Sequence, residues 1–99
     1  MDKWAYIMFI EKTDAFDKVT KEAIARHVAH IKTLDDNGQL ILAGPFKGYP
    51  GVVGMVVFKA QSPEDAEAFC KADPLVLEGY APYTLRTLRA ANRENNYLL

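Results

Sequence analysis

The fold is decided by the stretch Trp4-Ala-Tyr-Ile-Met-Phe-Ile10, an unbroken apolar run rich in aromatic and β-branched side chains. Such side chains favour β-strands. A strand that is apolar on both faces is typical of the middle of a sheet covered on both sides. A second run of this kind extends from Val52 to Phe58. We therefore predict two central strands at these positions.

The segments that flank these two runs predict further elements. A long helix is expected from about Phe16 to Asn37, because its apolar residues fall on one side, and Gly38 is a suitable stop. Further strands are expected at Gln39 to Ala43 and at Tyr83 to Leu88. The residues between Gly44 and Gly54 predict a turn-rich connection and match no phosphate-binding or dinucleotide-binding motif.

A second helix is expected to begin at Ser62-Pro63-Glu64-Asp65 and to run to about Lys71. Serine caps a helix, proline suits its first position, and acidic residues favour its N-terminal end. A short turn is expected from Asp73-Pro74 to Gly79. The order β-α-β-β-α-β is that of a ferredoxin-like α+β domain.

Two helices cover only one face of a four-stranded sheet, yet the two central strands are apolar on both faces. A large apolar face left in water would forgo about 25 cal/mol of stabilisation for each Å² and would be prone to association. Sheet-to-sheet packing of two subunits is the simplest cover. The sequence thus predicts a homodimer.

Composition narrows the classes of function. The chain has 99 residues, which suits one domain, with 49% hydrophobic and 25% charged residues. Its formal net charge of -1, without a basic run, predicts neither a nucleic-acid nor a membrane partner. The opening Met1-Asp2-Lys3 and the short apolar run after it do not form a signal peptide or a membrane span. With Cys70 as the single cysteine, these features predict a cytoplasmic protein.

Two histidines lie on the apolar side of the long predicted helix, His27 and His30. A partly buried histidine can serve as a general base. It can equally be a structural residue whose ring bonds a backbone carbonyl, and periodicity alone favours that interpretation for both. Metal binding is disfavoured, because no cysteine or carboxylate stands at a matching spacing. We expect no metal and no cofactor.

Asp73 precedes Pro74 and is suited to cap the short turn that follows. A carboxylate can also orient an imidazole and stabilise its protonated form, and the two roles are compatible. Cys70 has no base beside it in sequence and is interpreted as a buried packing residue. Arg86 and Arg89 are interpreted as surface charges on a strand, although an arginine at the mouth of a cleft could also steer an anionic substrate.

Two stretches of the sequence resemble the YCII-related (YciI-like) family. In the first, His27-Val-Ala-His-Ile-Lys-Thr-Leu-Asp-Asp-Asn-Gly38 leads into a strand that ends Ala43-Gly-Pro45. The second comprises Ser62-Pro-Glu-Asp-Ala-Glu-Ala68 and Ala72-Asp-Pro-Leu-Val-Leu-Glu-Gly79. The resemblance implies a ferredoxin-like domain over residues 1–89 in a dimeric α-β barrel, with residues 90–99 as a tail. Ile24 departs from the pattern, because some members carry an arginine there.

The resemblance also implies an active site in which His27 and Asp73 are catalytic. The activity that it suggests is a cofactor-free lyase that removes HCl from a chlorinated hydroxyhydroquinone. The alternatives are a non-catalytic dimeric module that binds a small metabolite and an isomerase similar to muconolactone isomerase. Candidate substrate-binding residues are His30, Tyr6, Phe46 and Arg26. Arg26 partly replaces the missing arginine in this interpretation, although its predicted direction is towards solvent.

Overall fold

The computed structural model describes residues 4–99, which form one antiparallel sheet with helices on one face. Residues 1–3, on which part of the signal-peptide expectation depends, lie outside the described residues. The strands are β1 (Trp4–Glu11), β2 (Leu40–Pro45), β3 (Val52–Phe58) and β4 (Tyr83–Arg89). The helices are α1 (Lys21–Asp36), α2 (Pro63–Lys71) and α3 (Pro74–Leu77).

The strand order across the sheet is β2-β3-β1-β4. The predicted ferredoxin-like α+β fold is confirmed, and the two apolar runs occupy the two central strands as expected. In the register of the sheet, Tyr6 faces Phe58 and Met8 faces Val56. These side chains form the core together with residues from all three helices, among them Cys70.

The predicted start of the long helix at Phe16 is wrong. Residues Asp14–Lys18 form a separate 3-10 turn, and α1 begins at Lys21. The break lies at extended residues Val19 and Thr20, and the Thr20 hydroxyl accepts a hydrogen bond from the N–H of Ala23. Phe16 and Val19 nevertheless pack against the core, and for this reason they continue the apolar pattern of the helix.

The predicted end of the second strand at Ala43 is also too early. β2 continues through Gly44 and Pro45, which pair with Met55 and Gly54. A proline has no N–H to donate, but an edge strand tolerates it on the side that has no neighbouring strand. Residues 46–51 join the end of β2 to the start of β3. This connection borders the candidate site described below.

The predicted start of the second helix is confirmed, because the Ser62 side chain accepts a hydrogen bond from the N–H of Asp65. The short turn after Asp73 is the four-residue helix α3. Residues Arg93–Leu98 form a 3-10 segment that is interrupted by left-handed backbone at Asn96 and Tyr97. Between residues 4 and 99, no helix is long and apolar enough to cross a bilayer.

Candidate active site

His27 lies on the side of α1 that faces the core. Ala23, one turn earlier on the same helix face, is fully buried. The His27 side chain is 13% exposed. The helix therefore holds the ring between the core and the surface, where one edge of the ring can reach a ligand and the other can bond the protein.

Asp73 lies at the start of α3, with a side chain that is 0% exposed. Its Oδ1 atom accepts a hydrogen bond of 2.9 Å from the backbone N–H of Leu75. Pro74 occupies the first position of the helix, as its fixed backbone angle favours. The predicted cap is therefore confirmed, and it fixes the orientation of a carboxylate that water does not reach.

The structure brings His27 and Asp73 together, although they are 46 positions apart in sequence. The Nδ1 atom of His27 lies 3.0 Å from Oδ1 and 2.8 Å from Oδ2 of Asp73. A buried carboxylate is costly unless it is hydrogen-bonded, so we assign the proton to Nδ1, which donates to Asp73. In the neutral ring this assignment leaves a lone pair on Nε2.

A cavity of about 860 Å³ has His27 in its wall. Helix α1 also contributes Ile24, Val28 and Ile31, while the sheet contributes residues of β1, β2 and β3. The connection between β2 and β3 lines it with Phe46 and Tyr49, whose rings pack edge to face at 5.6 Å. The lining is mostly apolar, as is usual for a small-molecule site with few polar groups.

Of the predicted substrate-binding residues, Phe46 lines the cavity, whereas Tyr6 and Arg26 are not among the lining residues. Tyr6 is buried in the core, and its ring packs at 6.0 Å from that of Phe58. Arg26 is exposed and donates to both carboxylate oxygens of Glu78, at 2.6 and 2.7 Å. This contact raises the pKa of the Arg26 guanidinium. The substrate roles of Tyr6 and Arg26 stay predictions.

His30 also lies outside the residues that line the cavity. Its Nε2 atom is 2.7 Å from the carbonyl oxygen of Phe69, and its ring stacks on the Phe69 ring at 4.1 Å. This is the structural alternative considered for a histidine on this face of the helix. Within residues 4–99, no group of three or more His, Cys, Asp or Glu side chains is arranged to hold a metal ion.

Cys70 is fully buried in α2, in agreement with its interpretation as a packing residue. Burial raises its pKa to about 12, and the nearby charges of Glu67 and Asp73 act in the same direction. A thiol of this kind carries almost no thiolate at neutral pH and is a poor nucleophile. Cys70 is therefore not a candidate nucleophile.

Lys12 and Tyr49 are among the cavity residues that were not identified from the sequence. Lys12 directly follows β1, and Tyr49 lies in the glycine- and proline-rich connection after β2. The available signal was their place next to the ends of apolar strands, where loops carry binding residues. That signal is shared by many loop residues, so the sequence could not single these two out.

The profile of the YCII-related domain family matches residues 4–89, which span the sheet from its first to its last residue. The chain belongs to this family. It is 31% identical over 83 residues to the uncharacterized protein YjpA of Bacillus subtilis (strain 168). The aligned region covers 84% of this chain and 92% of YjpA. It is 32% identical over 84 residues to protein YciI of Escherichia coli O6:H1, covering 75% of this chain and 84% of YciI.

A solved structure with the same fold is that of TftG, a 5-chloro-2-hydroxyhydroquinone dehydrochlorinase from Burkholderia phenoliruptrix AC1100. The TM-score is 0.70, and the match covers 93% of this chain and 98% of TftG, at 16% sequence identity. The TftG structure is a complex with 2,5-dihydroxybenzoquinone. The likeness shows that the two chains share a fold.

Proposed function

We propose that this protein is a lyase that performs acid–base chemistry on a small hydroxylated ring, with His27 as the general base. The observation that carries the proposal is the contact of His27 Nδ1 with the buried carboxylate of Asp73, at 2.8 Å, in the wall of an apolar cavity. Asp73 orients the ring and stabilises its protonated form. His27 Nε2 then accepts a proton from a ring hydroxyl.

The specific reaction that we propose is loss of HCl from a chlorinated hydroxyhydroquinone. One ring hydroxyl loses its proton to His27, and the protonated His27 returns it to the ring carbon that bears chlorine, which gives a ketone tautomer. The hydroxyl across the ring then loses its proton to His27, a second carbonyl forms, the C–Cl bond breaks and chloride leaves, after which His27 gives its proton to water. The product is a quinone. Because the net change is loss of HCl, the reaction needs no oxidant and no redox cofactor.

Two findings support this choice of substrate class. TftG, which shares the fold, is a dehydrochlorinase of such a compound. The cavity of this chain offers apolar walls with the aromatic rings of Phe46 and Tyr49, and such walls suit a planar ring. A general base of this kind accelerates a reaction by about 10² to 10⁴-fold.

We also propose that the protein is a homodimer. Opposite residues of paired strands share a sheet face, and the face that points away from the core carries Ile7 and Phe9 of β1 with Met55 of β3. Leu42 and Leu88, from the two edge strands on this face, are 50% and 48% exposed. A second copy packed on this face would remove an apolar surface from water.

We also propose that the protein is cytoplasmic, because its single cysteine is buried and free, as suits a reducing compartment.

The proposed function is tested by chloride release from a panel of chlorinated hydroxyhydroquinones. Wild-type protein should release chloride, and His27→Gln should lower the rate by about 10²-fold or more. Lys32→Gln is the control, because Lys32 is an exposed residue of the same helix and does not line the cavity. It should retain turnover. If the wild type released no chloride from any member of the panel, or if His27→Gln retained the full rate, the proposal would be wrong.

A further inference from the structure

Lys12 is placed at the cavity by the backbone. It directly follows β1, and its N–H donates a 2.9 Å hydrogen bond to the carbonyl oxygen of Gly51. Gly51 ends the connection whose residues Phe46 and Tyr49 line the same cavity. This bond holds the backbone of Lys12 against the β2–β3 connection. The Lys12 side chain therefore starts from a fixed backbone position at the cavity.

The charges around the cavity are not balanced. Among the described residues that line it, Lys12 is the one with a permanent charge, and none is an aspartate or a glutamate. Within residues 4–99, the ion pairs formed are those of Arg26 with Glu78 and of His27 with Asp73, so Lys12 has no carboxylate partner there. Asp73 is itself fully buried behind His27 and bonded to it.

Lys12 is itself exposed, so it stands at the solvent side of the cavity, and water partly screens its attraction for an anion. An anionic ligand that reaches Lys12 also gains a charge-assisted hydrogen bond. Neutral rings gain the apolar contacts of the same cavity but not this interaction. The arrangement therefore favours rings that carry a negative charge.

We propose that Lys12 is a specificity-determining residue that selects rings carrying a negative charge, such as phenolates that keep a further hydroxyl for His27 to deprotonate, over neutral rings of the same size. This inference rests on the proposed function and narrows its substrate class. The selection acts on binding, so it is separable from the proton transfer that His27 performs.

The test measures dissociation constants by titration calorimetry for two probes of similar size. 2,5-Dihydroxybenzoquinone is an anion at neutral pH, because its negative charge spreads over the ring oxygens, whereas hydroquinone is neutral. Lys12→Gln should weaken binding of the anion about fivefold, which corresponds to about 1 kcal/mol, and should leave hydroquinone binding unchanged. Lys12→Arg should restore most of the affinity. Lys71→Gln is the control, because Lys71 ends α2 and does not line the cavity.

The outcomes separate this inference from the proposed function. If Lys12→Gln bound 2,5-dihydroxybenzoquinone as tightly as the wild type, the role of Lys12 would be wrong, while the cavity would still be a ring-binding site. If Lys71→Gln caused the same loss, the effect would be one of overall charge and would overturn the inference. If the wild type bound neither probe, the proposed ring-binding function would fail together with it.

Discussion

The backbone N–H of Leu75 donates a 2.9 Å hydrogen bond to Oδ1 of Asp73, and His27 approaches the same carboxylate from α1. Asp73 thus has two roles: it caps α3 and it orients the imidazole ring of His27. The cap belongs to the local sequence, whereas the contact with His27 joins two distant segments. One residue therefore links the stability of the fold to the geometry of the candidate site.

Two substitutions of Asp73 should separate these two roles. In Asp73→Asn the side-chain oxygen can still accept from Leu75, so the cap is retained. The amide N–H₂ would then face Nδ1 of His27, shift the ring proton to Nε2 and remove the base. We expect turnover to fall by about 10²-fold or more, with a smaller loss of stability than in Asp73→Ala.

Asp73→Ala should lower the free energy of unfolding by about 2 kcal/mol, because it removes a helix cap and leaves buried polar groups unpaired. Urea denaturation and turnover, measured on both variants, check this pair of expectations. Full turnover in Asp73→Asn would show that the carboxylate does not orient His27, and equal losses of stability in the two variants would show that the asparagine oxygen does not keep the cap.

A close approach between β2 and β3 predicts the behaviour of Gly54. A Cβ atom at Gly54 would lie 2.6 Å from the carbonyl oxygen of Gly44 and 2.9 Å from Cα of Pro45. Both are backbone atoms, which cannot move without shifting β2. Gly54→Ala should therefore destabilise the protein by about 1 to 3 kcal/mol.

Gly44→Ala is the matched control for Gly54→Ala, because a Cβ atom at Gly44 meets nothing within 4 Å. It should be neutral or slightly stabilising, since alanine restricts the unfolded chain more than glycine does. Thermal or urea denaturation of both variants measures this difference in stability. A Gly54→Ala variant as stable as Gly44→Ala would mean that the two strands lie further apart than the structure shows.

Cys70 should be unreactive in the folded protein. Its pKa is raised to about 12, first by burial and then by the charges of Glu67 and Asp73. A disulfide exchange reagent at about pH 8 should label it at the rate of unfolding, and addition of urea should accelerate labelling steeply. Rapid labelling of the native protein would contradict the burial of this thiol.

Tyr83 should make stability depend on pH in the alkaline range. Its hydroxyl donates a 2.5 Å hydrogen bond to Oε2 of Glu67, which raises its pKa from 10.0 to about 12. Because the folded pKa is the higher one, the stabilisation is fully present below the unfolded pKa of 10.0 and is lost as the pH rises towards 12.

The comparison of wild type with Tyr83→Phe isolates this contribution, because other tyrosines and lysines titrate in both proteins. The excess stability of the wild type should shrink between about pH 10 and 12. Urea denaturation at several pH values across this range measures it. An excess that stays constant with pH would show that Glu67 does not hold the Tyr83 proton.

The fold was largely predictable because its signals are local. The run from Val52 to Phe58 is apolar on both faces and gave the bounds of β3 without error. The helix start was not predictable, because Phe16 contacts the same core as α1 and so continues its apolar pattern. β2 passes through Gly44 and Pro45, since an edge strand tolerates residues that would end a central one.

The candidate site was predictable only in part. Helical periodicity places both His27 and His30 on the core side and does not separate them, because the difference lies in what surrounds each ring. Phe69 supplies a carbonyl and a stacking ring for His30, whereas Asp73 supplies a carboxylate for His27. The resemblance to the family pointed to His27 and Asp73, but the position of Lys12 at the cavity required the three-dimensional structure.

The most direct test of the account is the protonation state of the His27 ring, measured by nitrogen-15 NMR on labelled protein at neutral pH. Nitrogen chemical shifts and long-range couplings distinguish the two neutral forms and the doubly protonated ring. We predict that the neutral form of the ring carries its proton on Nδ1, facing Asp73, and a lone pair on Nε2. A neutral form with its proton on Nε2 would be unable to accept one from a substrate there and would contradict the role of His27 as the general base.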